Sequence, residues 1–293
     1  MTRKKAEALL AAIIVARSAS YLLMKICLNS MGPFTMLAVR FLLAFFALAL
    51  LFGKRLCGAG AAAWGRGALL GGAFFIVMAT QTLALKTTGS STVSFLESTA
   101  IVLVPLFNAL LQKRPPSPQS LFASLLCVVG VGLLTLKGGA FTLSGGEWLC
   151  LCSAFCYAVS ILLTDFLSKR EDPLVLGILQ VGFVGLFNLI ASVLFETPRL
   201  PGTASEWGVI LMLALVCSAF GFTLQPVAQR YTSAERAGQF CALTPLSATL
   251  MGVLFLRERL GICGMAGAGL ILLSMLYTGQ TARAADIGGG ARG

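Results

Sequence analysis

The residues of this sequence able to do chemistry stand inside apolar runs: Arg17, Tyr21 and Lys25 at i, i+4 and i+8, then Arg40 and Glu97. The first three fall along one stripe of a helix. A charge at the centre of a bilayer costs about 2.5–3.5 kcal/mol on insertion scales, so each needs a partner, a wet cavity or a way to snorkel out. Lys25, near the end of its run, could snorkel or line a pathway. Arg17 lies too deep to snorkel and is expected to line a water-filled path, where its guanidinium can meet a carboxylate in a bidentate fork.

Arg40 and Glu97 each stand about two turns into their runs, roughly 10 Å deep at 1.5 Å per residue, so the two could touch. Two readings follow. They form an ion pair that orders helices, or Arg40 meets an anionic solute group while Glu97 holds it or exchanges a proton. Arg17, Lys25 and Arg40 against Glu97 leave the interior net positive, which favours an anionic or zwitterionic solute.

Around Glu97, Ser90, Ser94, Ile101 and Asn108 share its helix face. The second half of the chain has no comparable charge and carries Tyr157, Gln180, Asn188, Gln225 and Gln239 instead. Asn188 reads as inter-helix glue. The candidate substrate-binding set is therefore Arg17, Tyr21, Lys25, Arg40, Gln81, Ser94, Glu97, Tyr157, Gln180 and Gln239. Arg17 and Arg40 would take an anionic group and Glu97 an amine or a coupling proton, and Tyr21, Gln81, Tyr157, Gln180 and Gln239 would line the cavity.

Other spellings lead nowhere chemical. Cys150, Cys152 and Cys156 resemble a redox or metal cluster but sit among apolar neighbours at helical spacing, as packing thiols do. With no His and one buried acid, neither a metal site nor a cofactor is expected. Gly288, Gly290 and Gly293 spell GxGxxG at the end of the chain, with no strand before or helix after. No nucleophile and base pair is recognisable, so an enzyme is not expected.

The elements that must position these residues follow from composition. Of 293 residues, 57% are hydrophobic and 11% charged, and mean hydropathy is +0.90; soluble domains are about 25% charged. Apolar stretches near 6–28, 33–52, 65–86, 91–111, 119–136, 146–168, 173–195, 206–229, 235–256 and 260–278 predict ten transmembrane helices. The class is an all-α integral membrane protein. Summed over alternate loops, Lys and Arg number about 14 on one side, including Arg3, Lys4, Lys5, Lys54, Arg55, Lys169, Arg170 and Arg230, and about five on the other. Both termini are expected in the cytoplasm, and the net charge of +11 needs no nucleic acid to explain it.

An internal repeat is visible. Gly32-Pro33-Phe34 matches Asp172-Pro173-Leu174 at an offset of about 140, and Lys86-Thr87-Thr88 matches Arg230-Tyr231-Thr232 at about 144. Five helices per half force opposite insertion, so residues 1–140 and 141–280 are expected as inverted five-helix repeats, with 281–293 a flexible cytoplasmic tail. Pro105 and Pro245 would interrupt the fourth and ninth helices.

Four segments then resemble the drug/metabolite transporter superfamily, specifically its ten-helix EamA type: Ser18-Ala19-Ser20-Tyr21 with Lys25, residues 32–44, residues 84–96, and residues 231–260 with Glu258 near their end. The chain departs from that pattern at Ala16-Arg17, where a Trp-Gly pair is usual, and at Glu97, where an apolar or hydroxyl residue is. The resemblance implies a secondary transporter of the bacterial inner membrane, monomer or homodimer, exporting a small metabolite such as an amino acid or organic anion, with proton coupling open. Multidrug or cation efflux, a passive facilitator, and a non-transporting scaffold are the alternatives.

Overall fold

The computed structural model describes residues 1–113, 118–137, 140–141, 143–232, 234–241, 243–257 and 261–289. Its helices, in chain order, are α1 (Arg3–Cys27), α2 (Pro33–Cys57), α3 (Ala61–Thr87), α4 (Ser90–Leu111), α5 (Pro118–Thr135), α6 (Gly145–Ser168), α7 (Pro173–Phe195), α8 (Ala204–Gln229), α9 (Ala234–Phe240 and Leu243–Leu256) and α10 (Ile262–Gly289). The sheet among the described residues is one antiparallel pair, Leu136–Lys137 with Ala140–Phe141, in the link between the halves. Seven of the described helices, α1 to α4 and α6 to α8, are long and apolar enough to cross a bilayer. Such a chain is an integral membrane protein, and side chains like Phe46, Leu50, Leu51, Leu194 and Phe195 stand exposed on its outer surface as lipid-facing groups do. The last helix runs on to Gly289, into the stretch from residue 281 expected as a tail.

Three helices depart from regular α-helix where the site will be. α4 breaks at Thr99 into Ser90–Ser98 and Ala100–Leu111, and its turn is tightened by the Thr99 N–H donating to the Leu96 carbonyl at 3.2 Å. The break lies six residues before Pro105 rather than at the carbonyl four residues back that Pro leaves without a donor. In α9 the first piece ends at Phe240, and Pro245 stands four residues beyond Cys241, the arrangement that removes the i to i−4 bond. α8 passes through a π-helical stretch, Leu213–Phe220, ahead of Pro226; π turns recur at functional sites.

α2 and α7, from opposite halves, are fastened along their length. α2 opens on Gly32-Pro33 with no side-chain cap of its own. Glu196, at the end of α7, supplies it: its carboxylate accepts from the Phe34 N–H at 3.0 Å and the Thr35 N–H at 2.8 Å. An anion there also meets the positive end of the helix dipole. At the other end Asp172 caps α7 through the Leu174 N–H at 2.9 Å and faces Arg55 of α2 at 3.8 Å. Between them, Gly182 packs on Phe45 and Gly185 on the backbone of Leu42.

Glycines set the other close approaches. Gly67 and Gly71 let α3 lie against Leu179 and Phe183 of α7, the role GxxxG spacing predicts. Gly177 lies against the backbone of Thr223, where an added Cβ would stand 2.8 Å from the Thr223 Cα. Gly177→Val should therefore destabilise the protein by about 1–3 kcal/mol, read as a lower midpoint of thermal unfolding in detergent. Gly208→Ala, in open space, should cost nothing measurable.

Candidate functional site

Where α1, α3, α4, α6, α8 and α9 converge they leave a small enclosed cavity, whose walls include Arg17, Tyr21, Met78, Gln81, Glu97, Tyr157, Phe222 and Cys241. About 20 Å³ of it is open to the centre of a water molecule, room for one or two waters. A metabolite fits only when the walls part.

Arg17 forms one pole. Its Nη1 donates to Gln225 Oε1 at 2.5 Å and to the Tyr157 hydroxyl at 3.3 Å. Its guanidinium lies 4.0 Å from the centroid of the Phe222 ring, a cation–π contact that holds the plane without neutralising the charge. Phe222 is itself pinned edge-on by Phe41 and Phe74, with ring centroids 5.2 Å and 5.5 Å away. The stem of Arg17 crosses Gly221, where a Cβ would stand 2.6 Å from Arg17 Cγ. Among the described residues no carboxylate lies within 4.0 Å of the guanidinium.

Glu97 forms the other. It is 3% exposed, and its oxygens accept from the Tyr21 hydroxyl at 2.5 Å and the Ser153 hydroxyl at 3.0 Å. Both donors are neutral, so the carboxylate has hydrogen bonds but no counter-charge in contact among the described residues. The break in α4 at Thr99 falls two residues beyond it.

The structure thus brings together Arg17, Tyr21, Gln81, Glu97 and Tyr157 from the sequence-derived set, and places the others apart. Lys25 turns away from the stripe it shares with Arg17 and donates to the carbonyls of Leu85 at 2.5 Å and Thr88 at 2.9 Å, at the C-terminus of α3, where a cation meets the negative end of the dipole. Ser94 donates back to the Ser91 carbonyl at 2.7 Å. Arg40 and Glu97, whose depth would let them touch, do not meet. Arg40 points to α8 and α1, donating to Ser218 Oγ at 2.7 Å and Met24 Sδ at 3.1 Å, and its Nη2 is buried without a partner among the described residues. Gln180, also fully buried, has no partner for either amide atom among the described residues. The side chain of Gln239, like Glu258, lies outside the described residues. Cys150 is buried, Cys152 exposed and Cys156 in between, so these thiols point in different directions around α6.

Ser153, Phe222, Gln225 and Cys241 complete the site and are absent from that set. The repeat carries the missing signal. Gln225 is 144 residues after Gln81, Cys241 is 144 after Glu97 and Phe222 is 144 after Met78, while Tyr157 is 140 after Arg17.

An integral membrane protein with a polar, enclosed cavity where interrupted helices converge has the build of a solute carrier. The EamA-like transporter family matches the chain over residues 5–136 and again over residues 144–279, and the chain belongs to that family. It is therefore a transporter of the drug/metabolite superfamily. A protein of Archaeoglobus fulgidus described as an uncharacterized transporter is 29% identical over 275 residues, 91% of this chain and 83% of its own length. A chloroplast WAT1-related protein of Arabidopsis thaliana is 28% identical over 162 residues, covering 52% of this chain and 39% of its own. A solved structure with 18% identity superposes with a TM-score of 0.73 over 96% of this chain and 99% of its own, a likeness of fold.

Proposed function

We propose that this transporter is a secondary active exporter of a small zwitterionic or anionic metabolite, an amino acid first among them, working by alternating access in a bacterial inner membrane with both termini cytoplasmic. The observation that carries the reading is the cavity itself. It presents a cation held by neutral groups, Arg17, and an acid held by hydroxyls, Glu97, in one enclosed space. Each has hydrogen bonds and lacks a partner of opposite charge in contact among the described residues. A solute carboxylate can fork onto Arg17 and an amine or a proton can answer Glu97. Arg40 and Gln180, each buried with donors unsatisfied among the described residues, stand 140 residues apart and are reserve partners for a state in which α2 and α7 sit differently against α8.

Residues 1–140 and 141–280 act in this reading as two inverted repeats. Supporting it, four pairs of repeat-equivalent positions line the cavity, Arg17 with Tyr157, Met78 with Phe222, Glu97 with Cys241 and Ala100 with Thr244, and the first pair bond to each other. Packing follows the same exchange: α3 lies on α6 as α8 lies on α1, α4 on α6 as α9 on α1, and α2 on α7, α4 on α9 and α5 on α10 pair with themselves. In both charged pairs the charge sits in the first half, Arg17 against Tyr157 and Glu97 against Cys241.

The test is reconstitution into vesicles, with amino acids, organic anions and lipophilic cations screened by thermal shift and by counterflow. Saturable counterflow of a carboxylate solute supports the proposal. A response to lipophilic cations alone assigns multidrug efflux, and flux that neither saturates nor shows trans-stimulation assigns a channel. Gly221→Val should mimic loss of Arg17 without deleting the charge, since the new Cβ displaces the Arg17 stem; counterflow should fall by about tenfold or more.

A further inference from the structure

Away from the cavity, at the end of the bundle where α2 and α8 finish and α6 turns into α7, lies a cleft of about 750 Å³. Four cations line it: Arg55, Lys169, Arg170 and Arg230; the carboxylates in its wall are Glu171 and Asp172. Those acids are already engaged. Glu171 is bonded to Arg66, outside the cleft, and Asp172 caps α7 while facing Arg55. Lys169 is held by Asp165 at 2.7 Å. Arg170 and Arg230 have no carboxylate within 4.0 Å among the described residues: Arg170 lies 3.9 Å over the Phe166 ring, and Arg230 donates to the backbone carbonyl of Glu171 at 3.3 Å. Two cations are thus positioned at one mouth with their charge unanswered. Further along the same two helices the lining is apolar: Phe52 stands one turn before Arg55 on α2, and Leu224 and Val227 precede Arg230 at the end of α8. Basic mouth and apolar wall meet where helices end, at the level of lipid head groups.

We propose that this cleft is a binding site for an anionic phospholipid, its phosphate held by Arg170 and Arg230 and its acyl chain lying along Phe52 and Leu224. Charge complementarity selects the head group: a zwitterionic lipid brings an ammonium to a mouth that is already positive, whereas phosphatidylglycerol brings only its anion. All four cations belong to the loops that carry the excess of Lys and Arg, which is the cytoplasmic face by the positive-inside rule. The ligand is lodged between α2 and α8, so its occupancy is linked to how those helices pack. The inference is independent of the transported solute.

The experiment titrates purified full-length protein in a neutral maltoside detergent with dioleoyl phosphatidylglycerol, dioleoyl phosphatidylcholine and glycerol 3-phosphate, following the unfolding midpoint and retained lipid by native mass spectrometry. Phosphatidylglycerol should raise the midpoint and remain bound. The double variant Arg170→Gln with Arg230→Gln should bind it about thirtyfold more weakly, whereas Lys4→Gln with Lys5→Gln should match the wild type. An equal effect of phosphatidylcholine, an undiminished response in the Arg170/Arg230 variant, or the whole effect from glycerol 3-phosphate would overturn the proposal, the last in favour of a soluble-anion site. Should the double variant fail to fold, a photoreactive phosphatidylglycerol on the wild type decides the matter: adducts mapping to α2 and the end of α8 support the site, and adducts elsewhere refute it.

Discussion

Arg17→Gln is expected to abolish counterflow of the carboxylate solute and its thermal stabilisation while leaving the protein folded. A buried, hydrogen-bonded charge partner is worth about 2–5 kcal/mol when truncated, so the apparent affinity should weaken at least about 30-fold. The amide cannot fork onto a carboxylate, and it gives up the stacking on Phe222 at 4.0 Å. Folding should survive because Gln225 and Tyr157, the groups that Arg17 now donates to, are neutral, so removing the guanidinium strands no counter-charge in contact with it among the described residues. Arg17→Lys is the sharper probe. It keeps the charge and loses the plane, and should recover only part of the affinity. Full counterflow by Arg17→Gln would remove Arg17 from the site and the anionic-solute reading with it.

Glu97→Gln is expected to separate two activities. If the carboxylate carries the coupling proton, gradient-driven transport disappears while solute exchange continues, because exchange needs no net proton movement. The amide is nearly isosteric, its oxygen can accept from Tyr21 and its NH2 can donate to Ser153, so the two bonds at 2.5 Å and 3.0 Å have replacements. Loss of both modes would assign Glu97 to the solute amine instead. Gradient-driven transport equal to wild type would end the coupling role.

How much of this could be read before any coordinates existed depended on the kind of information involved. Ten apolar stretches show plainly in hydropathy, since a span is defined by length and composition, both local properties. Arg17 and Glu97 stood out because charge at depth is costly wherever it points. Partnerships did not show. Arg17, Tyr21 and Lys25 share a stripe, yet one reaches α6 and α8, the next α4, and the third the end of α3. A stripe spans enough arc and rise to face three neighbours, and the choice among them lies in helix packing. The same holds for Arg40: depth put it level with Glu97, but azimuth turned it to Ser218. Proline marked two helices for interruption, whereas in α4 the turn itself settled at Thr99, beside the buried acid. Gln225 and Cys241 were recoverable by carrying the repeat offset through Gln81 and Glu97, a step that needs the two halves to be treated as one design used twice.

The clasp between α2 and α7 has a consequence for how such a machine can move. Glu196 ties the start of one to the end of the other, Asp172 and Arg55 face each other at the opposite end, and Gly182 and Gly185 bring the flanks together. The two helices come from different halves of the chain, so a jaw-like separation of the halves would have to break this seam. Under the alternating-access reading proposed above, motion is then expected in the interrupted helices around the cavity: the two pieces of α4, the two pieces of α9 and the π-helical stretch of α8. In that reading the α2–α7 pair is the spine, and the cavity opens by bends of elbows against it.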